Sequence, residues 1–125
     1  MFEPTNGMAR LFECDNELDR FDFLALSALT APKYPTDKKT NDHRVRSCET
    51  NTWLYIDVEG SVFVESDSLF LKGLIVLFAD AAHETHDGAE GFFEECFRRG
   101  IITAKRLDGL KETENIILKR SKKGR

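Results

Sequence analysis

The sequence predicts an α+β fold in which a small antiparallel sheet of about three strands packs against several helices. One helical segment comes first, two β-rich segments follow, and the remaining segments are helical, so strands and helices are segregated along the chain. The β-rich segments, residues 52–58 and 61–65, flank a Glu-Gly turn signal and are expected to form an antiparallel hairpin. A hydrophobic content of 41% and a charged content of 32% are typical of a globular protein.

The apolar spacing predicts where the helices lie. They are expected to cover roughly residues 17–29, 67–82, 89–99 and 107–119. In the first helix the inward residues are expected to be Leu18, Phe21, Leu24 or Ala25, and Ala28. In the third they are expected to be Phe92, Phe93, Cys96 and Phe97. Gly73 inside the second helix is expected to permit close packing, and residues 33–47 and 83–88 are expected to be loops.

Length and charge exclude several functional classes. A chain of 125 residues is long enough for one domain, residues 1–125, with a core of its own. The net charge of −4 argues against a nucleic-acid partner, although residues 119–125 form a basic tail whose role the sequence leaves open. No apolar run approaches the roughly 20 residues that span a bilayer, and the N-terminus lacks the pattern of a secretion signal. We therefore expect a cytoplasmic protein with no membrane partner.

Cys48 stands out because its surroundings are polar and charged, whereas a structural cysteine usually lies inside an apolar element. We expect a reachable thiol whose ionisation is favoured by Arg46 and disfavoured by Glu49. Cys96 is expected in the core, and Cys14 is interpreted as incidental. Three widely spaced cysteines argue against a disulfide framework and for a reducing compartment.

Three segments together resemble the motifs of one protein family. They are the stretch from Val45 through Cys48 to Trp53, the helix start at residues 66–74, and the turn at residues 105–110. The corresponding family patterns are Val-x-Gly-Cys-x-Ser-x-x-Trp, Ser-Asp-Ala-x-x-Val-x-Gly-Leu and Ser-Arg-x-x-Gly-Leu. In this order and spacing the chain resembles the SufE family of sulfur acceptors, which serve cysteine desulfurases in iron–sulfur cluster assembly. The resemblance covers roughly residues 21–118, and residues before 20 match poorly.

This resemblance implies a SufE/IscU-like fold and a sulfur carrier. Cys48 matches the acceptor thiol, which takes sulfur from a SufS-like cysteine desulfurase and passes it to a SufBCD-type scaffold. Arg106 matches the arginine of the third motif, whose implied role is to support the loop or the sulfur anion. No resident metal or cofactor is implied beyond a transient persulfide on Cys48. The chain is then an accessory protein that stimulates the desulfurase more than an independent enzyme.

Departures from the family pattern leave two alternatives open. Ser47 replaces the usual glycine, Thr50 replaces serine, and Glu49 replaces the common glutamine. One alternative is a diverged module that docks to a partner without carrying sulfur. The other is a redox-sensor thiol, which requires Cys14 or Cys96 to reach Cys48 as a resolving thiol.

Histidines near possible sites are interpreted as surface residues. His43 is close to Cys48 in sequence and is a candidate base, but the family pattern asks for no histidine there. His83 and His86 with Asp87 lack a fourth ligand for zinc.

Overall fold

The computed structural model of the protein describes residues 2–123, with side chains as far as Arg120. The helices in this range are α1 (Asn6–Phe12), α2 (Glu17–Thr30), α3 (Leu69–Glu84), α4 (His86–Ala89), α5 (Phe92–Arg98) and α6 (Ala104–Lys123). The strands are β1 (Thr52–Ile56) and β2 (Val62–Ser66), so the fold is α+β as predicted. Within the described range, no helix is long and apolar enough to cross a membrane.

The sheet is smaller than predicted. β1 and β2 pair antiparallel, with Thr52 opposite Ser66 and Ile56 opposite Val62. Beyond this pair, Arg44 forms a single bridge with Trp53 on the outer edge of β1. Among residues 2–123 the sheet therefore has two strands and one bridge instead of about three strands. The segment beside β1 is interrupted by two short 3₁₀ turns, and within it Arg44 forms the one bridge to β1.

The predicted loop at residues 33–47 is ordered by internal hydrogen bonds and by packing against the rest of the protein. It contains two 3₁₀ turns, Thr36–Lys38 and Asn41–His43. Near its start the Tyr34 hydroxyl donates to the Lys38 carbonyl at 2.8 Å. Near its end Val45 is only 2% exposed. These anchors fix the direction in which the chain enters the segment that contains Cys48.

Helix α2 has the predicted boundaries but a narrower buried face. It begins after Asn16, whose side chain accepts a hydrogen bond from the Asp19 backbone N–H at 2.9 Å. Leu24 is buried as expected, but Leu18 and Phe21 are 68% and 43% exposed, so their predicted inward position is wrong. Leu24 lies where α2 approaches α3 closely at Gly73, and this close contact buries only a narrow stripe of the helix.

The region after α3 differs from the prediction. Residues 83–88 are not a loop, because α3 continues to Glu84 and α4 begins at His86. Gly91 has a φ of 96°, a left-handed conformation that favours glycine and separates α4 from α5. The predicted helix at residues 89–99 therefore begins at Phe92. Phe97 is exposed rather than inward, since this short helix presents only one face to the core.

An aromatic cluster forms the centre of the core beneath α3 and α5. The ring centroids of Phe78 and Phe93 are 4.9 Å apart, and those of Phe92 and Phe93 are 5.4 Å apart. Cys96 joins this cluster with no exposed surface, as predicted. The Cys48 side chain, by contrast, is partly buried at the edge of the core.

Helix α6 is longer than predicted at both ends. It begins at Ala104, so residues 105–110 form its first turns and not a separate turn. It also continues through residues 119–123, where a basic tail was expected. The remaining side chains of that tail lie outside the described residues.

Candidate functional site

The Cys48 loop is closed by short backbone contacts at the entrance to β1. The Val45 N–H donates to the Thr52 carbonyl at 2.9 Å, and the Cys48 N–H donates to the Val45 carbonyl at 3.4 Å. Outside the loop, the Arg44 guanidinium donates to Asn51 Oδ1 at 2.6 Å. The Asn51 amide in turn donates to Asp67 Oδ2 at 3.1 Å, immediately before α3. The loop is thus tied to the sheet and to the start of α3.

One face of α6 holds the loop from the other side. Lys105, Gly109 and Glu112 are spaced four and three residues apart, so they lie along one face of the helix. Lys105 Nζ is 2.7 Å from Glu49 Oε1, and Glu112 Oε1 accepts the Ser47 N–H at 3.0 Å. The loop therefore runs antiparallel to the helix, with one contact on each side of Cys48.

Gly109 lies between these two contacts, directly against Cys48. A Cβ at this position would be 2.5 Å from Cys48 Sγ and 3.0 Å from Cys48 Cα. Real Cβ atoms do not approach heavy atoms so closely. Only glycine lets α6 approach the thiol in this way, which is the physical role of the glycine in the third motif.

A cavity of about 60 Å³ opens beside the thiol. Its lining residues are Cys48, Glu49, Thr50, Leu71, Lys105 and Arg106. The volume exceeds the roughly 15 Å³ that one water molecule needs. Two cations, one carboxylate and one apolar side chain therefore surround a space large enough for a small group attached to sulfur, and too small for a drug-sized ligand.

The pKa of the Cys48 thiol is raised above its ordinary value. Desolvation by burial is the largest cause, and the polar side chain of Thr52 opposes it. The Glu112 carboxylate raises the pKa further, whereas the Arg106 guanidinium lowers it. The expectation that Arg46 and Glu49 set this pKa is wrong, because neither is among the groups that shift it.

Arg106 lies at the same cavity as Cys48. Its guanidinium carbon is 6.0 Å from the centroid of the Phe70 ring on α3. The structure thus brings together the two residues that the sequence singled out. It adds Lys105 and Glu112, which sequence reasoning missed. Their spacing places them on one helical face with Gly109, but only the packing of α6 shows that this face meets Cys48.

The departure at Ser47 has a simple structural account. No non-glycine residue in the described chain has a positive φ, so Ser47 imposes no left-handed strain.

His43 packs edge-on against Tyr55 with centroids 5.3 Å apart, in a groove along β1 and not in the Cys48 cavity. His86 Nε2 lies 2.8 Å from the Leu118 carbonyl oxygen and donates to it, tying α4 to α6. No metal-binding group of three His, Cys, Asp or Glu is found in the described part of the chain.

The three cysteines are expected to differ in reactivity. Iodoacetamide should label Cys48 and Cys14, which are partly buried, and leave Cys96 unmodified until the protein unfolds. Burial raises the pKa of Cys96 to about 12 from 9.0, so this thiol stays protonated in the folded state. Its contribution to stability is present below pH 9.0 and is lost as the pH rises towards about 12. Peptide mass mapping after labelling with and without urea measures the reactivity of each cysteine. Rapid labelling of Cys96 in the folded protein would contradict the prediction.

Comparison with protein-family models identifies the chain. The SufE model, described as an Fe-S metabolism associated domain, matches residues 6–117. The match begins in α1 and extends over residues 6–19, where the sequence motifs predicted a poor match. A search of curated proteins found no match. Since the family model covers most of the chain, the protein belongs to the SufE family and is associated with iron–sulfur metabolism.

Proposed function

We propose that this protein accepts sulfur from a cysteine desulfurase onto Cys48 and passes it to an iron–sulfur assembly scaffold. The observation that carries the proposal is the small cavity where Cys48 lies with Lys105 and Arg106. The upstream partner is a SufS-type desulfurase, and the downstream partner is a SufBCD-type scaffold. The three free cysteines are compatible with work in a reducing cytoplasm.

The proposed step is a thiol exchange that needs no outside oxidant. The Cys48 thiolate attacks the outer sulfur of the desulfurase persulfide and forms a new S–S bond. The original S–S bond breaks, and its electron pair leaves on the desulfurase cysteine as a thiolate. The outer sulfur is now a persulfide on Cys48, and the proton released when Cys48 ionised is available to the leaving thiolate.

The charge of Arg106 supports this chemistry, whereas burial and Glu112 oppose it. A positive charge near the sulfur stabilises both the attacking thiolate and the persulfide anion that replaces it. Arg106 is the cation whose charge lowers the pKa of Cys48. Burial acts in the opposite direction and keeps the thiol largely protonated at rest. The thiol is therefore expected to ionise more readily when a docked partner draws the loop away from α6, because this relieves its burial and separates it from Glu112.

Intact mass spectrometry tests the proposal. The protein is incubated with a SufS-type desulfurase and free cysteine, and we expect a gain of one sulfur atom that a reductant removes. Cys48→Ala should abolish the gain, because no acceptor thiol remains. Cys14→Ala is the matched control, since it removes another partly buried thiol and should leave the gain intact.

Two other results would contradict sulfur transfer through Cys48. Binding to an active desulfurase without any gain of mass would indicate the docking module. A mass gain that depends on Cys14 would assign the carrier role to Cys14 instead of Cys48. A stable disulfide with Cys96, the redox-sensor outcome, is disfavoured because Cys96 has no exposed surface.

A further inference from the structure

The mouth of the Cys48 cavity carries an ion pair between the loop and α6. Lys105 Nζ lies 2.7 Å from Glu49 Oε1, and both side chains line the cavity. They are largely exposed, at 74% and 64%. The pair links the residue directly after Cys48 to the first turn of the helix, so it bears on whether the loop can move.

The Glu49–Lys105 contact differs from the Ser47–Glu112 contact in the groups that form it. Glu112 accepts a hydrogen bond from the Ser47 backbone, which any residue at position 47 except proline can donate. The Glu49–Lys105 contact depends on two charged side chains.

We propose that the Glu49–Lys105 ion pair is a salt-sensitive latch that holds the Cys48 loop closed and sets how often the thiol is exposed. The inference rests on the proposed function in one respect, that the exposed thiol is the one that receives sulfur. An exposed ion pair contributes little to overall stability. It still shifts a local opening equilibrium, and added salt weakens it.

Alkylation of Cys48 by neutral iodoacetamide measures the latch directly. A Cys14→Ala background leaves Cys48 as the accessible thiol, because Cys96 is buried. The rate is followed over pH. The midpoint reports the pKa, and the plateau, defined as the rate per thiolate at a pH where Lys105 is still charged, reports access. Between low and high salt we expect the plateau to rise about twofold to fivefold, the range that an exposed ion pair produces.

Two single substitutions separate opening from simple electrostatics. If the pair is a latch, Glu49→Gln and Lys105→Ser both raise the low-salt plateau, and both remove its salt dependence. The double variant then behaves like either single variant. If Glu49 and Lys105 act on Cys48 only through their charges, the two substitutions move the midpoint of the alkylation profile in opposite directions and leave the plateau unchanged. That result would overturn the proposal.

Lys111→Ser is the matched control. Lys111 is on the same helix and forms an exposed ion pair with Glu94, at 3.8 Å, away from Cys48. Its substitution should leave the plateau and its salt dependence unchanged; an equal effect there would assign the change to α6 as a whole and overturn the latch. The assay uses no desulfurase, so its failure leaves sulfur transfer untouched. A failed sulfur transfer likewise leaves the alkylation result standing.

Discussion

Gly73→Ala is expected to destabilise the protein by about 1–3 kcal/mol, the usual range for overpacking. The added Cβ would overlap the Leu24 carbonyl oxygen and lie 2.7 Å from the Leu24 carbonyl carbon. These are backbone atoms of α2, which cannot rotate away as a side chain can. Alanine otherwise favours a helix by about 1 kcal/mol over glycine, so a net loss means that the steric contact dominates. Thermal unfolding followed by circular dichroism should show a melting temperature several degrees lower.

Gly7→Ala is the matched control for this substitution. Gly7 is also in a helix, but the nearest atom to its added Cβ is the tip of the Leu77 side chain, at 2.8 Å. That side chain can change rotamer, so the loss of stability should be smaller than at Gly73. Equal stability of Gly73→Ala and the parent would show that α2 and α3 separate easily, against the close packing described above.

Gly109→Ala is expected to push the Cys48 loop outward and increase the reactivity of the thiol. The added Cβ would meet Cys48 Sγ at 2.5 Å and the Cys48 backbone nitrogen at 3.1 Å, so the loop and α6 cannot keep their present spacing. Burial is the main cause of the raised Cys48 pKa, and an exposed thiol should therefore ionise at lower pH. A fall of one unit gives about ten times more thiolate below the pKa. The pH profile of Cys48 alkylation measures this shift.

Asn115→Ala provides the control for Gly109. It introduces alanine at an exposed position of α6, about one turn beyond Glu112, and should leave the alkylation profile unchanged. A Gly109→Ala profile identical to that of the parent would mean that α6 accommodates a methyl group beside the thiol. In that case the glycine of the third motif has no role in placing Cys48.

Local patterns predicted the type of most elements and singled out Cys48 as the candidate thiol. The capping residue Asn16, the hairpin at β1 and β2, and the apolar spacing of α3 are features of neighbouring residues, which a sequence displays directly. Cys48 stood out for the same reason, because its polar flanks and the Trp53 that follows are local. Arg106 was identified only through the resemblance, and the structure places it at the Cys48 cavity.

Local sequence patterns were enough to predict the α+β class, the candidate thiol and the resemblance to the SufE family. Tertiary structure decided which groups act on that thiol. Glu112 reaches the loop from 65 residues away, and Lys105 pairs with Glu49 only because α6 packs along the loop. The same holds for Leu18, which is 68% exposed because the described segments leave that part of α2 uncovered. Such contacts join segments that are distant in sequence. Their energy depends on the distance between the groups and on their burial, and neither can be read from the sequence.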